Sequence, residues 1–236
     1  MTNGLGSIGR WGWSLILASS LLGIAPAGAA GTERMTKSVA GAAKVVLESP
    51  GDLTISPGSE DKLVIEAEPK VLARLEAVVR GDTLTIRAKE SIRTDKGIYY
   101  TLSLRSFKGV EVTGSGNVEV GRFSGTEMAA TVTGSGNIEL NGIKPTKLSL
   151  KIPGSGNIEV SGEGPVVDIR INGSGNIDAA KFVARKAEAR IDGSGGIRVR
   201  AEETLKASID GAGNIEYAGR AKVSKSIGGA GNIDPM

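Results

Sequence analysis

Apolar and polar residues alternate on both sides of a glycine-rich motif that recurs through the second half of the chain. The motif is Gly-Ser-Gly-Asn or a close variant, and its copies begin at Gly114, Gly134, Gly154, Gly173, Gly193, Gly211 and Gly229. The residues two and four before its first glycine, and four and six after it, are aliphatic in nearly every copy, with Thr, Ser, Arg, Glu and Asp between them. A period of two is typical of a β-strand with one buried face. Each copy therefore predicts a strand, a tight corner and a second strand.

The copies follow one another at intervals of 18 to 20 residues. A unit of this size cannot bury its own apolar face, so the copies must stack, and identical units that stack in register pair their strands in parallel. The fold class predicted is all-β, a right-handed parallel β-helix (solenoid) with one copy of the motif per coil.

Two expectations concern the corners. The glycines are expected to supply backbone angles that other residues resist, and the asparagines are expected to stack as an amide ladder that only Gly196 interrupts. The predicted structural corner residues are Gly114, Asn117, Gly134, Asn137, Gly154, Asn157, Gly173, Asn176, Gly193, Gly211, Asn214, Gly229 and Asn232.

The chain before these repeats has the same strand character without the regular period. Short apolar segments separated by Gly, Pro and Asp turns predict strands at 45–47, 53–55, 63–65, 84–86 and 100–104, and a short helical turn is expected at 70–75. Arg80-Gly81-Asp82 matches an integrin-binding tripeptide, but Gly-Asp between two strands favours a turn. We expect one β-helix domain over 31–236, with irregular coils and a cap in 31–109 and seven regular coils in 110–236.

Residues 1–30 have the pattern of a secretory signal peptide. Arg10 precedes an apolar run from Trp11 to Ile24, and a stretch of small residues follows up to Ala30. We therefore expect export to the periplasm, the cell surface or the medium. After removal of the signal, no segment is apolar enough to predict a transmembrane span.

Composition narrows the possible chemistry. The 236-residue chain contains neither Cys nor His, which excludes disulfides, thiol catalysis, His-dependent triads and the usual zinc or haem sites. Its formal net charge is +3 without a long run of one sign, so nucleic-acid binding is not expected. No catalytic residue, cofactor or metal site is predicted.

Acidic residues recur five positions after the first glycine of most motifs. They form a predicted outward-facing acidic column of Glu119, Glu139, Glu159, Asp178, Glu216 and Asp234, with Arg198 in the fifth copy. Like charges about 4.8 Å apart in water repel by roughly 1 kcal/mol. Divalent cations could offset this repulsion, but we favour solvation and pairing with Lys151, Arg170 and Arg190.

The signal peptide, the irregular strand-rich first part and the repeated Gly-Ser-Gly-Asn-Ile corners together resemble the bacterial head GIN domain family of auto-transporter adhesins. The resemblance covers roughly residues 38 to 236, and it implies an exported β-helix without established catalytic residues. Two functions remain open. The first is a non-catalytic adhesin-like or envelope structural protein, monomeric, that presents a rigid face to a cell-surface polymer or an envelope protein. The alternative is a polysaccharide-active β-helix enzyme, which the short loops and scarce aromatic residues disfavour.

Overall fold

The computed structural model describes residues 31–236, so the predicted signal peptide lies outside the described residues. Of the described residues, 67% are in strands and 2% in helix, and the strands stack as parallel coils, which confirms the predicted parallel β-helix. The strands are β1 (Glu33–Ser38), β2 (Lys44–Leu47), β3 (Asp52–Pro57), β4 (Lys62–Ala67), β5 (Leu75–Arg80), β6 (Thr83–Ala88), β7 (Tyr99–Leu104), β8 (Gly109–Val112), β9 (Asn117–Val120), β10 (Ser124–Val132), β11 (Asn137–Ile152), β12 (Asn157–Ile171), β13 (Asn176–Ile191), β14 (Ser194–Ile209), β15 (Ala212–Ala218), β16 (Lys222–Ile227) and β17 (Ala230–Pro235), with the single helical turn α1 (Pro69–Leu72).

The regular coils stack with equivalent residues opposite one another. Asn137 pairs with Asn157 and Ile138 with Ile158 between β11 and β12, and the same register continues into β13. The strands β11 to β14 are longer than the alternation alone predicts, because each continues through a bend from one corner to the next over 15 or 16 residues. A coil is therefore one bent strand closed by the Gly-rich corner.

The first part of the chain does not stack in sequence order. The coil formed by β2 and β3 lies between two later ones, because β2 pairs in parallel with both β6 and β8, and β3 pairs in parallel with both β7 and β9. After β2 and β3 the chain builds the coil above them, with β6 and β7, and then returns below them as β8 and β9. The five early strands predicted from the sequence are all present, as is the helical turn.

Antiparallel strands cover the upper end of the stack, an arrangement that the repeat pattern does not predict. β5 pairs antiparallel with β6, β4 pairs antiparallel with β7, and β1 pairs antiparallel with β4. The β5–β6 turn falls at Gly81, whose φ of 61° is in the left-handed region, so Arg80-Gly81-Asp82 forms the turn that was favoured. These strands cover parallel edges that would otherwise be open to other chains.

The core is a column of aliphatic side chains that continues from Val39 to Ile233. The inward positions beside the regular corners are buried as the alternation predicts, except for the half-buried Tyr217 and for Lys225, Ile227 and Pro235 of the last coil, which are exposed. One polar pair lies inside the upper coils: the hydroxyl groups of Ser49 and Tyr100 are 2.8 Å apart, and burial raises the pKa of Tyr100 to about 12. Because most of the core is built from Ile, Val, Leu and Ala, adjacent coils can pack at the regular strand spacing.

The corner glycines are required for a different reason from the one expected. None of them has a φ in the left-handed region, so the expectation about backbone angles is wrong. The constraint is the distance between coils: a Cβ added at Gly156 would lie 1.8 Å from the carbonyl oxygen of Gly136, and one at Gly136 would lie 1.9 Å from that of Gly116. Glycine is needed because the corners of successive coils approach each other too closely for any side chain.

Candidate functional site

The strands that follow the corners present a flat polar surface, which we call the ladder face. Alternation turns the residues between the buried aliphatic positions outward, and parallel register places equivalent residues of successive coils side by side. The ladder face consists of the exposed or half-exposed residues Asn117, Asn137, Asn157, Asn176, Glu119, Glu139, Glu159 and Asp178.

The asparagine side chains form a hydrogen-bonded ladder along this face. Nδ2 of Asn137 donates to Oδ1 of Asn117 at 2.9 Å, and Nδ2 of Asn157 donates to Oδ1 of Asn137 at 2.9 Å. Asn176 continues the series with a bond of 3.2 Å to Asn157. Every amide therefore donates toward the preceding coil, and the ladder has a single direction.

The ladder begins and ends at residues other than asparagine. At its start, Oδ1 of Asp52 accepts a hydrogen bond of 3.0 Å from Nδ2 of Asn117. At the fifth corner, where Gly196 stands in place of asparagine, its backbone N–H donates to Oδ1 of Asn176 at 2.9 Å. The last acceptor of the ladder is therefore still hydrogen-bonded. Beyond it, Asn214 accepts a 3.1 Å bond from the backbone N–H of Asn232.

Sequence reasoning missed Asp52 as a member of this column. The signal that could have found it is Pro50-Gly51-Asp52, because Asp52 follows a turn glycine just as Asn117 follows Gly116. Asp52 also pairs in register with Asn117 between β3 and β9. The irregular segment therefore contains a degenerate copy of the corner, which was read from the sequence only as a turn.

The acidic column runs parallel to the ladder, two residues further along each strand. Glu119, Glu139, Glu159 and Asp178 are successive register partners, followed by Arg198, Glu216 and Asp234. The side chain of Asn141 donates to Glu139 at 2.9 Å and to Glu119 at 3.4 Å. These two carboxylates have no ion-pair partner among the described residues.

The cations that offset the rest of the column differ from those expected. Lys181 contacts Glu159 at 2.9 Å, and this contact raises the pKa of Lys181. Arg198 contacts Asp178 at 2.9 Å and Glu216 at 3.7 Å, so the residue that interrupts the column also connects its two halves.

The expected partners lie elsewhere. Arg170 pairs with Asp168, Arg190 pairs with Asp192 and Asp210, and Lys151 has no ion pair in the described chain. They occupy the strands that lead into the corners, on another side of the coil. The expectation that these three residues offset the acidic column is therefore wrong.

The first coils of the ladder face border a shallow groove of about 550 Å³, lined by Asp52, Thr54, Asn117, Glu119, Asn137, Glu139, Asn157 and Glu159 among others. Within residues 31–236, no group of three or more acidic side chains is arranged to hold a metal ion. Carboxylate oxygens accept hydrogen bonds and the amides both donate and accept them. The surface can therefore bind a partner rich in hydroxyl or amide groups through repeated hydrogen bonds.

Elsewhere in the described chain, six carboxyl groups have shifted pKa values, and all six are lowered by neighbouring hydrogen-bond donors. They are Asp61, Glu68, Glu76, Asp82, Glu163 and Glu202. A carboxylic acid that acts as a general acid near neutral pH needs a raised pKa, so these six groups are tuned in the opposite direction. No helix in residues 31–236 has the length and apolar character to cross a membrane.

The fold and this face define a class of protein: a parallel β-solenoid whose corners carry an amide ladder beside a column of carboxylates. The chain belongs to the family described as "putative auto-transporter adhesin, head GIN domain", whose sequence profile matches residues 43–221. No curated protein matches the chain.

Several solved structures share the fold. A putative adhesin from Bacteroides fragilis superposes with a TM-score of 0.82 at 22% identity, covering 88% of this chain and 98% of that one. A putative lipid binding protein from Parabacteroides distasonis has a TM-score of 0.72 at 27% identity, covering 89% and 98%. A putative adhesin from Parabacteroides merdae has a TM-score of 0.69 at 20% identity, with the same coverage.

Proposed function

We propose that this chain is an exported, non-catalytic binding protein that docks its ladder face against a repeating, hydroxyl-rich polymer of a cell surface. The observation that carries the proposal is the ladder itself: one donor and acceptor array repeats at each coil from Asn117 to Asn176, and Asp52 adds an acceptor at its start. Coils about 4.8 Å apart give a rigid row of identical groups, which suits a ligand that also repeats. Family membership supports the adhesin-like part of the proposal.

The charges on this face support a neutral or amine-bearing polymer. Glu119 and Glu139 form no ion pair in the described residues, and Lys181, which also acts on Glu139 at longer range, contacts Glu159, so an anionic polymer would meet excess negative charge. Sugar hydroxyl groups can donate to these carboxylates and accept from amide groups. We therefore expect binding to neutral glycans or glycans that contain free amino groups, and exclusion of polyuronates.

The experiment measures binding of the purified protein to immobilised neutral, amino-bearing and acidic polysaccharides, with lipid vesicles as a further comparator because one structural relative is named a lipid binding protein. The test variant is Glu119→Lys with Glu139→Lys. The matched control is Glu33→Lys with Glu188→Lys, which makes the same charge change at exposed positions away from the ladder face.

The proposal predicts that the test variant loses at least tenfold in affinity while the control keeps it. Equal losses in both variants, binding of vesicles alone, or release of reducing ends from the polysaccharide would each overturn it. The last result would favour the alternative, a polysaccharide-active enzyme.

A further inference from the structure

One strand of the stack has an open edge beside an irregular segment. β10 pairs with β11 from Ser124 to Thr131, but it pairs with β8 on its other side only from Ala129 to Val132. The preceding coil crosses this region as residues 105–108, which form no strand. Within residues 31–236, the edge at Ser124–Met128 therefore has no strand beside it.

The open edge carries unpaired backbone groups. The N–H of Ala129 donates to the carbonyl oxygen of Lys108 at 3.0 Å, so it points toward the preceding coil. From Glu127 to Ala129 the register with β11 is unbroken, so backbone groups alternate there and the N–H and C=O of Glu127 point the same way as the N–H of Ala129. Neither makes a backbone hydrogen bond to the described residues of that coil. An exposed edge of this kind can accept an added strand.

A groove of about 700 Å³ lies along this edge. Phe107 and Met128 form its apolar floor, and both are almost fully buried, at 3% and 2% exposure. Phe107 packs on Phe123 with ring centroids 5.2 Å apart, which fixes the floor against the core. The groove is therefore a preformed channel between a strand edge and an irregular segment.

The rim of the groove is basic. Lys44, Lys108 and Lys147 line it, and Glu127 is the one carboxylate among its lining residues. Lys44 and Lys108 share Asp82 at 3.6 and 3.1 Å, yet more than half of each lysine side chain stays exposed. Lys147 makes no ion pair in the described chain. The rim favours a ligand with negative charge.

We propose that this groove binds an extended acidic peptide segment of a partner protein, which adds as a strand along Ser124–Met128. Backbone hydrogen bonds to Glu127 would supply affinity, and the lysines would select acidic side chains. A lipid tail fits less well, because Phe107 and Met128 are already covered and hydrocarbon cannot pair with backbone groups. The groove is separate from the ladder face, so the proposal stands or fails independently of polymer binding.

The test uses a displayed library of random eight-residue peptides. Peptides that bind a Glu127→Pro variant are removed first, and peptides that bind the wild-type protein are then selected. The N–H of Glu127 faces the groove, so proline removes that donor without breaking a bond to β11. Affinities of the enriched peptides are then measured for Lys147→Glu and for the matched control Lys186→Glu. Lys186 occupies the same outward column two coils away.

We expect acidic peptides to be enriched and to bind Lys147→Glu at least tenfold more weakly, with no change in Lys186→Glu. N-methylation of alternate peptide amides should abolish binding, because it removes the strand hydrogen bonds. No enrichment, enrichment of neutral or basic peptides, or equal losses in the two lysine variants would overturn the proposal. The proposal would also be overturned if the wild-type protein bound anionic vesicles and Lys147→Glu weakened that binding without weakening peptide binding.

Discussion

Asn117 donates a hydrogen bond of 3.0 Å from Nδ2 to Oδ1 of Asp52, although 65 positions separate the two residues in the sequence. Asp52 can only accept at this point, since an ionised carboxylate has no proton to donate. The bond therefore orients the amide of Asn117, and each later amide follows the same orientation. An irregular early coil thus sets the direction of the ladder in the regular coils.

The first prediction concerns the contribution of the ladder to stability. Asn137→Ala removes one donor and one acceptor from the middle of the series and should lower the free energy of unfolding by about 1–2 kcal/mol. Ser135→Ala is the control, because the equivalent position is already alanine at Ala212 and Ala230. Chemical denaturation of both variants is the measurement. If the two variants are equally stable, the ladder is not a stabilising element.

The second prediction separates close packing from backbone angle as the reason for the corner glycines. Gly156→Ala places a Cβ 1.8 Å from the carbonyl oxygen of Gly136, so adjacent coils must move apart at a cost of about 3 kcal/mol. At Gly121 the nearest atom would be 3.4 Å away, and Gly121→Ala should be close to neutral. Thermal unfolding compares the two, and a small effect at Gly156 would contradict the packing explanation.

The regular coils could be predicted from sequence because their information is local. Alternation beside each corner identifies the buried column, as Ile138 and Ile158 show, and the constant interval fixes the parallel register. The position of the β2–β3 coil between two later coils could not be predicted in this way. It depends on pairing of Val45 with both Leu84 and Val110, which no local pattern specifies.

The same limit applies to the candidate site. The ladder residues follow from their equivalent positions in the repeat, whereas Asp52 belongs to a degenerate copy and Lys181 reaches the acidic column from the bend of its coil. A lysine in a bend does not lie at a fixed number of residues from the corner, so the repeat pattern does not show which residues it contacts. The open edge of β10 also escaped prediction, because it results from the lack of strand in the coil above it rather than from its own sequence.

The third prediction concerns the sign of charge effects in the acidic column. Glu139 lies between Glu119 and Glu159 without a cationic partner in the described chain, so Glu139→Gln should stabilise by a few tenths of a kcal/mol at low salt. Glu159→Gln removes the contact with Lys181 and should be neutral or destabilising. Both differences should shrink in high salt, because screening weakens exposed interactions.

Unfolding at about 10 mM and about 500 mM salt measures both effects of this third prediction, since the screening length falls severalfold between them. The same sign for both substitutions would mean that local pairing does not control the column. Stabilisation of the wild-type protein by millimolar calcium, lost in the Glu139→Gln variant, would instead favour a cation at this face.

The fourth prediction concerns acid stability through Asp61. This carboxylate is buried and accepts hydrogen bonds from the side chain and backbone of Arg105 and from the N–H of Gly41, and its pKa is lowered from 3.8 to about 2. A lowered folded-state pKa stabilises the protein above pH 4, and the contribution disappears as the pH falls through about 2.

Asp61→Asn should therefore be less stable than the wild type by about 2 kcal/mol at pH 7. The difference should shrink steadily between pH 4 and pH 2, where the wild type loses the same charge. Denaturation at several pH values provides the test. A difference that is independent of pH would show that the ionised form of Asp61 is not the stabilising species.

The last prediction concerns the lower end of the stack, where β16 and β17 have a parallel neighbour on one side only among the described residues. Lys225 is in register with the buried Ala207, but its Nζ donates to the carbonyl oxygen of Ile233 at 2.6 Å and lies 5.0 Å from the centre of the Tyr217 ring. The side chain thus crosses the end of the core, and Pro235 removes a backbone donor from the edge strand. A charge at an inward position and an edge proline both oppose pairing with another chain.

Replacing both features, with Lys225→Ile and Pro235→Val, should expose an apolar, fully hydrogen-bonding edge beside Ile227, which is already 48% exposed. We expect end-to-end dimers or longer filaments, seen as a concentration-dependent rise in mass by light scattering. The matched control is Lys222→Ile with Asp234→Val, which adds similar apolar residues at exposed positions of the same two strands and should cause less association. If the test variant stays monomeric at high concentration, or if the wild type already associates through this end, Lys225 and Pro235 do not protect the edge.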